Sequence, residues 1–248
     1  MAQITAIHNT LLKKRPVQGS ELADDQKVSV SAAKDYAVEI IERSEGGHTL
    51  VTLAYGAGTW YVYDDHWSGL KSTDENVLPV RYFSQRDNYR DASRTCFSSS
   101  CAMLLESMKP GTLPGDRGDD KYIETVFTYG DTTVAATHVK ALAQYGLQSR
   151  FKTDGSLSWL KKQIDEGRPV PIGILHHGTA NAPTGGGHWI CVIGYDNTGF
   201  ICHDPWGRLD HATGQYFSTD GESVHYSTDC ISKRWTVSRY NDGWCMAI

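Results

Sequence analysis

The hydrophobic pattern of this chain passes from strand period to helix period and back, and that alternation limits its possible folds more than any other feature. From Lys27 to Trp67, apolar and polar residues alternate in short runs: Val28-Ser-Val-Ser, Tyr36-Ala-Val-Glu-Ile-Ile-Glu, His48-Thr-Leu-Val-Thr-Leu-Ala and Thr59-Trp-Tyr-Val-Tyr. Period-two alternation marks half-buried strands. Gly46-Gly47 and Gly56-Ala-Gly58 separate the runs, where glycine supplies the positive φ of tight turns. The pattern predicts a small antiparallel β-barrel or meander over residues 1–70.

Residues 69–78 are polar, without an apolar period, and read as a linker. Beyond them Phe97, Cys101, Leu104, Leu105 and Met108 fall on one helical face, and Pro110-Gly111 ends that helix. Turn-rich sequence follows through Asp116, Asp119 and Asp120, which lack the calcium-loop spacing and read as a surface turn. Two more helices are predicted, at about 133–145 and 157–166, each closed by a glycine. From Pro169 the pattern is strand again, with Asp196-Asn-Thr-Gly199 as a hairpin turn. Helices followed by antiparallel strands predict an α+β domain over residues 78–248.

At 248 residues, with 40% hydrophobic and 21% charged side chains, the chain is expected to be globular. Twenty-four Lys and Arg against 29 Asp and Glu leave a net charge of −5, which disfavours nucleic acid as a partner. No apolar run approaches the ~18 residues of a membrane-spanning helix, and no secretory signal is expected at the N-terminus, so synthesis and retention in a cytoplasm are expected. The six cysteines (96, 101, 191, 202, 230 and 245) form no Cys-x-x-Cys pair and are expected to be free thiols. The adjacent pairs His176-His177 and Cys202-His203 lack zinc-ligand spacing, so neither metal nor cofactor is expected.

Cys96 precedes the helical run, where unpaired backbone N–H groups and the macrodipole favour a thiolate. A buried small hydrophobe is the competing reading. Cys101, roughly 140° further round the helix, belongs to the apolar face and reads as core. His188 opens one strand and Asp204 closes the next, sixteen residues later, so a hairpin returns both to one end of a sheet. The turn position requires a bulge or a wider turn for the two to meet. A surface histidine and a strand-ending turn aspartate fit the same spacing.

Leu78-Pro-Val-Arg-Tyr-Phe-Ser-Gln85, Thr95-Cys96-Phe-Ser-Ser-Ser100-Cys-Ala-Met, Glu166-Gly-Arg-Pro-Val, Gly187-His188-Trp and His203-Asp204-Pro205 together resemble, in content and order, the papain-like cysteine peptidases related to bacteriocin leader-processing enzymes. The resemblance covers about residues 78–210 and implies Cys96 as nucleophile, His188 as base, Asp204 as its orienting carboxylate and Gln85 as an oxyanion donor. One departure stands beside the nucleophile: Phe97-Ser98 replaces the family's usual Gly-Pro.

The C-terminal segment from Tyr216 to Cys245 and the aromatic Trp60 to Trp67 segment look like modules of bacteriophage cell-wall lysins, the first domain resembling a bacterial Src-homology-3-type barrel. This resemblance implies an endolysin made in a host cytoplasm that acts, after release, on a stem or cross-bridge peptide of peptidoglycan. Trp60, Tyr63, Trp67 and Trp189 are the aromatic candidates for substrate contact. A protease acting on a protein or leader peptide, and an inactive wall-binding or virion protein, are the alternative readings.

Overall fold

Alternation in the first 70 residues becomes a seven-stranded sheet because each strand has one apolar face to hide. The computed structural model describes residues 2–43, 47–70, 76–179, 181–210 and 213–248, and divides into two units, Met1–Glu75 and Asn76–Ile248. In the first unit the strands are β1 (Ala2–Ala6), β2 (Thr10–Lys13), β3 (Lys27–Val30), β4 (Asp35–Arg43), β5 (His48–Leu53), β6 (Gly58–Tyr63) and β7 (Trp67–Ser68). They pair antiparallel in the order β3-β2-β6-β5-β4-β1-β7. This is not a simple meander, because β1 and β2, which the sequence reading left out, insert beside β7 and β6. Gly56 and Gly58 take positive φ in the β5–β6 turn, whereas Gly46 of the other expected turn lies outside the described residues.

Ile4, Leu12, Val38, Ile41, Val51, Val62 and Trp67 form the core of this sheet. Trp67 is therefore corrected: it is 4% exposed and packed 5.7 Å from Tyr36, so its ring offers no face to a ligand. Trp60 and Tyr63 are half-buried. The Trp60 ring lies 3.5 Å beneath Lys14 Nζ while its Nε1 donates to Ala57 O, and Tyr63 packs against His48 and His66.

In the second unit β8 (Asn76–Val77), β9 (Arg150–Gly155), β10 (Val170–Ile174), β11 (His188–Tyr195), β12 (Gly199–His203), β15 (Val224–Ser227) and β16 (Gly243–Ala247) share one sheet. Its order is β15-β12-β11-β10-β16-β9, with β8 also on β11; β13 (Arg208–Leu209) and β14 (Tyr216–Ser218) make a separate ribbon. The linker reading gives way at its C-terminal end, since Asn76–Val77 pair with Tyr195 and Gly194, while residues 71–75 lie outside the described residues.

Alternate residues of the central strands feed opposite faces. Cys191, Ile193 and Ile201 pack with Leu104 and Leu105 of α1 (Cys96–Met108), Tyr122 and Val126 of α2 (Gly118–Tyr129), and Ala141 and Leu142 of α3 (Ala135–Gln144). Ile190, Val192, Phe200 and Cys202 pack on the other side with Leu160 and Ile164 of α4 (Leu157–Asp165) and Ile231 and Trp235 of α5 (Thr228–Trp235). Helices thus cover both faces of a mixed helix-and-sheet domain.

Helix α2 corrects the surface-turn reading for Asp119 and Asp120, while Asp116 stands exposed in the turn before it. Tyr122, Ile123 and Val126 supply a buried helical stripe, and Asp119 in the first turn is fully buried.

Candidate active site

Helix α1 runs through the middle of the second unit, with Phe97 to Glu106 all buried. Its N-cap residue Thr95 makes no side-chain cap bond, so the first-turn N–H groups keep their partial positive charge at the helix head. Cys96 stands there half-buried, while the other five cysteines are buried. Burial pushes the Cys101 thiol well above its usual range, as expected of a core residue.

His188 begins β11 after Gly187, whose φ of 84° suits glycine and turns the chain into the strand. Asp196 organises the hairpin, its Oδ1 accepting from Thr198 N and Gly199 N at 2.8 Å. Of the bulge or wider turn that the spacing called for, a register shift between Val192 and Gly194 gives the bulge. Asp204 follows β12, its backbone N–H donating to Gly221 O at 2.9 Å.

His188 Nε2 and Asp204 Oδ1 are 2.7 Å apart, and His188 is 5% exposed. Nδ1 is the ring nitrogen left over, and Cys96 is close enough to favour the charged imidazole. Burial alone would lower the His188 pKa. The Asp204 charge and hydrogen bond, followed by the hydrogen bond and charge of Cys96, outweigh it and raise the value to about 10.

The carboxylate is held from several sides. Trp206 N donates to Oδ1 at 3.0 Å, while Tyr226 and Tyr216 hydroxyls donate to Oδ2 at 2.8 and 3.4 Å. Burial first, then the Asp204 charge, pushes both phenol pKa values upward, keeping them neutral donors. His176 lies 5.4 Å from His188, ring to ring, and is held near a pKa of about 4 by burial and then by the His188 charge.

Gln85 starts a short 3-10 turn, Gln85–Asp87, and is 2% exposed. Its backbone N–H donates to Pro205 O at 2.9 Å, beside Asp204, and its Nε2 donates to Ala92 O at 2.7 Å, four residues before Cys96. Gln85 is thereby tied to the segments that carry Cys96 and Asp204.

A cleft of about 760 Å³ opens at Cys96. Glycine backbone at 173 and 185–187 forms part of its wall, and Phe151, Trp189 and Trp244 line it with aromatic surface. Trp189 stacks on Phe97 at 3.5 Å with an interplanar angle of 5°. Phe97, the departure beside Cys96, thus fills a place between Trp189 and His138, whose ring is 4.0 Å away. Of the sequence-predicted residues, the structure brings together Cys96, His188, Asp204, Gln85 and Trp189. Trp60, Tyr63 and Trp67 belong to the first unit. Tyr216, Tyr226 and His176 were missed; their approach depends on tertiary pairing that no local motif announces. Among the described residues, no group of three or more His, Cys, Asp or Glu side chains is placed to hold a metal ion.

A thiol at a helix head, an imidazole and a buried carboxylate are the parts a thiol-dependent peptidase uses. The chain belongs to the Peptidase_C39 like family, whose profile matches residues 77–229. It is similar in structure to a C39-like peptidase from Bacillus anthracis, with 17% identity, a TM-score of 0.49, and coverage of 70% of this chain and 97% of that one. A double glycine motif protease from an AMS/PCAT transporter, solved with its leader peptide, matches at 16% identity and a TM-score of 0.41, over 69% and 91% of the two chains. The peptidase domain of Streptococcus ComA, a bifunctional ABC transporter of a quorum-sensing pathway, matches at 16% identity and 0.42, over 67% and 95%. No curated protein matches the chain.

Proposed function

We propose that the protein is a cysteine endopeptidase with Cys96 as nucleophile. The observation that carries this reading is the 2.7 Å pairing of His188 with Asp204, with Cys96 close enough to act on the same imidazole and itself lining a cleft. The Cys96 thiolate attacks a peptide carbonyl carbon, and the carbonyl π electrons move to oxygen. The head of α1 and the second amide N–H of Gln85 stabilise that oxyanion. His188 gives its proton to the departing amine as the C–N bond breaks, leaving a thioester. His188 then takes a proton from water, hydroxide adds to the thioester, and the acid is released as the thiolate re-forms.

For the substrate, we propose a stem or cross-bridge peptide of bacterial peptidoglycan. Its support is the all-β unit preceding the peptidase domain, together with the lysin-like aromatic and C-terminal segments. The protein would be made in a host cytoplasm and act at the wall after release. A second reading, cleavage of a protein or leader segment, is favoured by the aromatic lining of the cleft.

Purified sacculi and an unfolded protein substrate, each incubated with wild type and with Cys96→Ser, test both readings by mass spectrometry. New amino termini in wall fragments from the wild type alone support the peptidoglycan reading. Cysteine-dependent cleavage of only the protein substrate transfers the enzyme to the second reading. Wall binding without Cys96-dependent cleavage of either substrate overturns the peptidase and leaves an inactive wall-binding protein.

A further inference from the structure

We propose that Asp119 is a positioning residue for the nucleophile, acting through Ser99 and Asn88 on the Thr95–Cys96 junction; this rests on Cys96 being the reactive thiol. Ser99 Oγ donates to Asp119 Oδ2 at 2.6 Å, and Asn88 Nδ2 donates to Ser99 Oγ at 3.1 Å and to Thr95 Oγ1 at 2.8 Å. Thr95 Oγ1 donates in turn to Ala92 O at 3.4 Å, the same carbonyl that accepts Gln85 Nε2. The hydrogens run outward from the Asn88 amide, one branch through Ser99 to Asp119 and the other through Thr95, the residue before Cys96, to Ala92 O.

Its members are buried: Asp119, Ser99 and Thr95 are 0% exposed and Asn88 is 9% exposed. A buried carboxyl with its Oδ1 unpartnered is costly to keep. The chain joins α2, the first turn of α1 and the segment bearing Gln85. It fixes the backbone on which Cys96 meets His188, without Asp119 touching either group. Burial raises the Asp119 carboxyl to about 7, with the Ser99 bond opposing the rise and the Asp120 and Asp87 charges adding to it.

The test is the rate of Cys96 alkylation by iodoacetamide, followed by mass spectrometry on the full chain at a temperature where circular dichroism shows every variant folded. Asp119→Ala is expected to slow Cys96 alkylation by about tenfold, since small displacements at a reacting atom have effects of this order or larger. Asp119→Asn, which keeps an oxygen for Ser99, is expected to restore most of the rate. Asn88→Ala interrupts the same chain from the 85–95 segment and provides the test if Asp119→Ala does not fold; where both fold, their combination is expected to slow alkylation no more than either alone. A wild-type rate in folded Asp119→Ala or in folded Asn88→Ala overturns the proposal. His188→Ala separates the two ideas: if it slows alkylation while Asp119→Ala does not, only the positioning role falls. If His188→Ala leaves the rate unchanged, the cysteine–histidine reading falls and takes the positioning role with it.

Discussion

His188 Nε2 lies 2.7 Å from Asp204 Oδ1, and the carboxylate is fully buried behind it. The same carboxyl accepts from Trp206 N and the Tyr226 hydroxyl, so its orientation is fixed independently of the histidine. In Asp204→Asn the shape is kept but the charge that stabilises the imidazolium is lost. The expected result is a fall of about 10²–10⁴ in peptide hydrolysis, by analogy with carboxylate-to-amide changes in catalytic triads. Steady-state kinetics on whichever substrate the cleavage assay yields measure it, and a rate within tenfold of wild type would remove Asp204 from the mechanism.

Stability should carry the same signature. The His188 pKa is raised from 6.5 to about 10 in the folded protein. A raised histidine contributes its full stabilisation below pH 6.5 and loses it as pH climbs towards about 10, because the folded state then has to release a proton it holds more tightly than the unfolded chain does. Wild-type Tm is therefore expected to fall between pH 6.5 and 10, and Asp204→Asn to show a shallower fall over that window. Parallel slopes in thermal melts of the two proteins would contradict the coupling.

Thiol labelling distinguishes the cysteines. Cys101, Cys191, Cys202 and Cys245 are buried, and burial raises each of their thiols. Cys96 alone among the six is half-exposed and faces an imidazolium. Native protein near neutral pH is expected to take up one equivalent of iodoacetamide, at Cys96, and Cys101→Ser to label as wild type does. Peptide mapping that places the first label on any other cysteine would refute this.

Much of this site could be read from local pattern. The helix head at Cys96, the Asp196–Gly199 turn and the need for a bulge all follow from neighbours within a few residues. The sheet in the first unit was legible from alternation, but Ala2–Ala6 also alternates, burying Ile4 and Ala6, and was passed over. The place of Asp119 is hidden because its polar neighbours mask a stripe of only three buried apolar side chains, Tyr122, Ile123 and Val126. Trp67 was misread because alternation states that faces differ but not which one is inside. Tyr216 and Tyr226 reach Asp204 only through β-strand pairing and loop packing, which spacing along the chain does not encode.

Phe97 stands where the family resemblance leads one to expect a glycine, and its packing gives it a measurable role. The ring is 1% exposed and sandwiched between Trp189 at 3.5 Å and His138 at 4.0 Å, joining α1 to β11 and α3. Removing a buried phenyl group costs about 3–5 kcal/mol when the cavity cannot collapse. Phe97→Ala is expected to lose stability of that order in urea unfolding, with a changed tryptophan emission as Trp189 loses its stacking partner. Trp189 also follows His188 directly and lines the cleft, so the folded variant is expected to show a weakened kcat/KM as well. Phe97→Leu, which refills much of the volume without an aromatic face, should recover most of the stability and less of the activity. Recovery of both in equal measure would reduce the stack to ordinary packing.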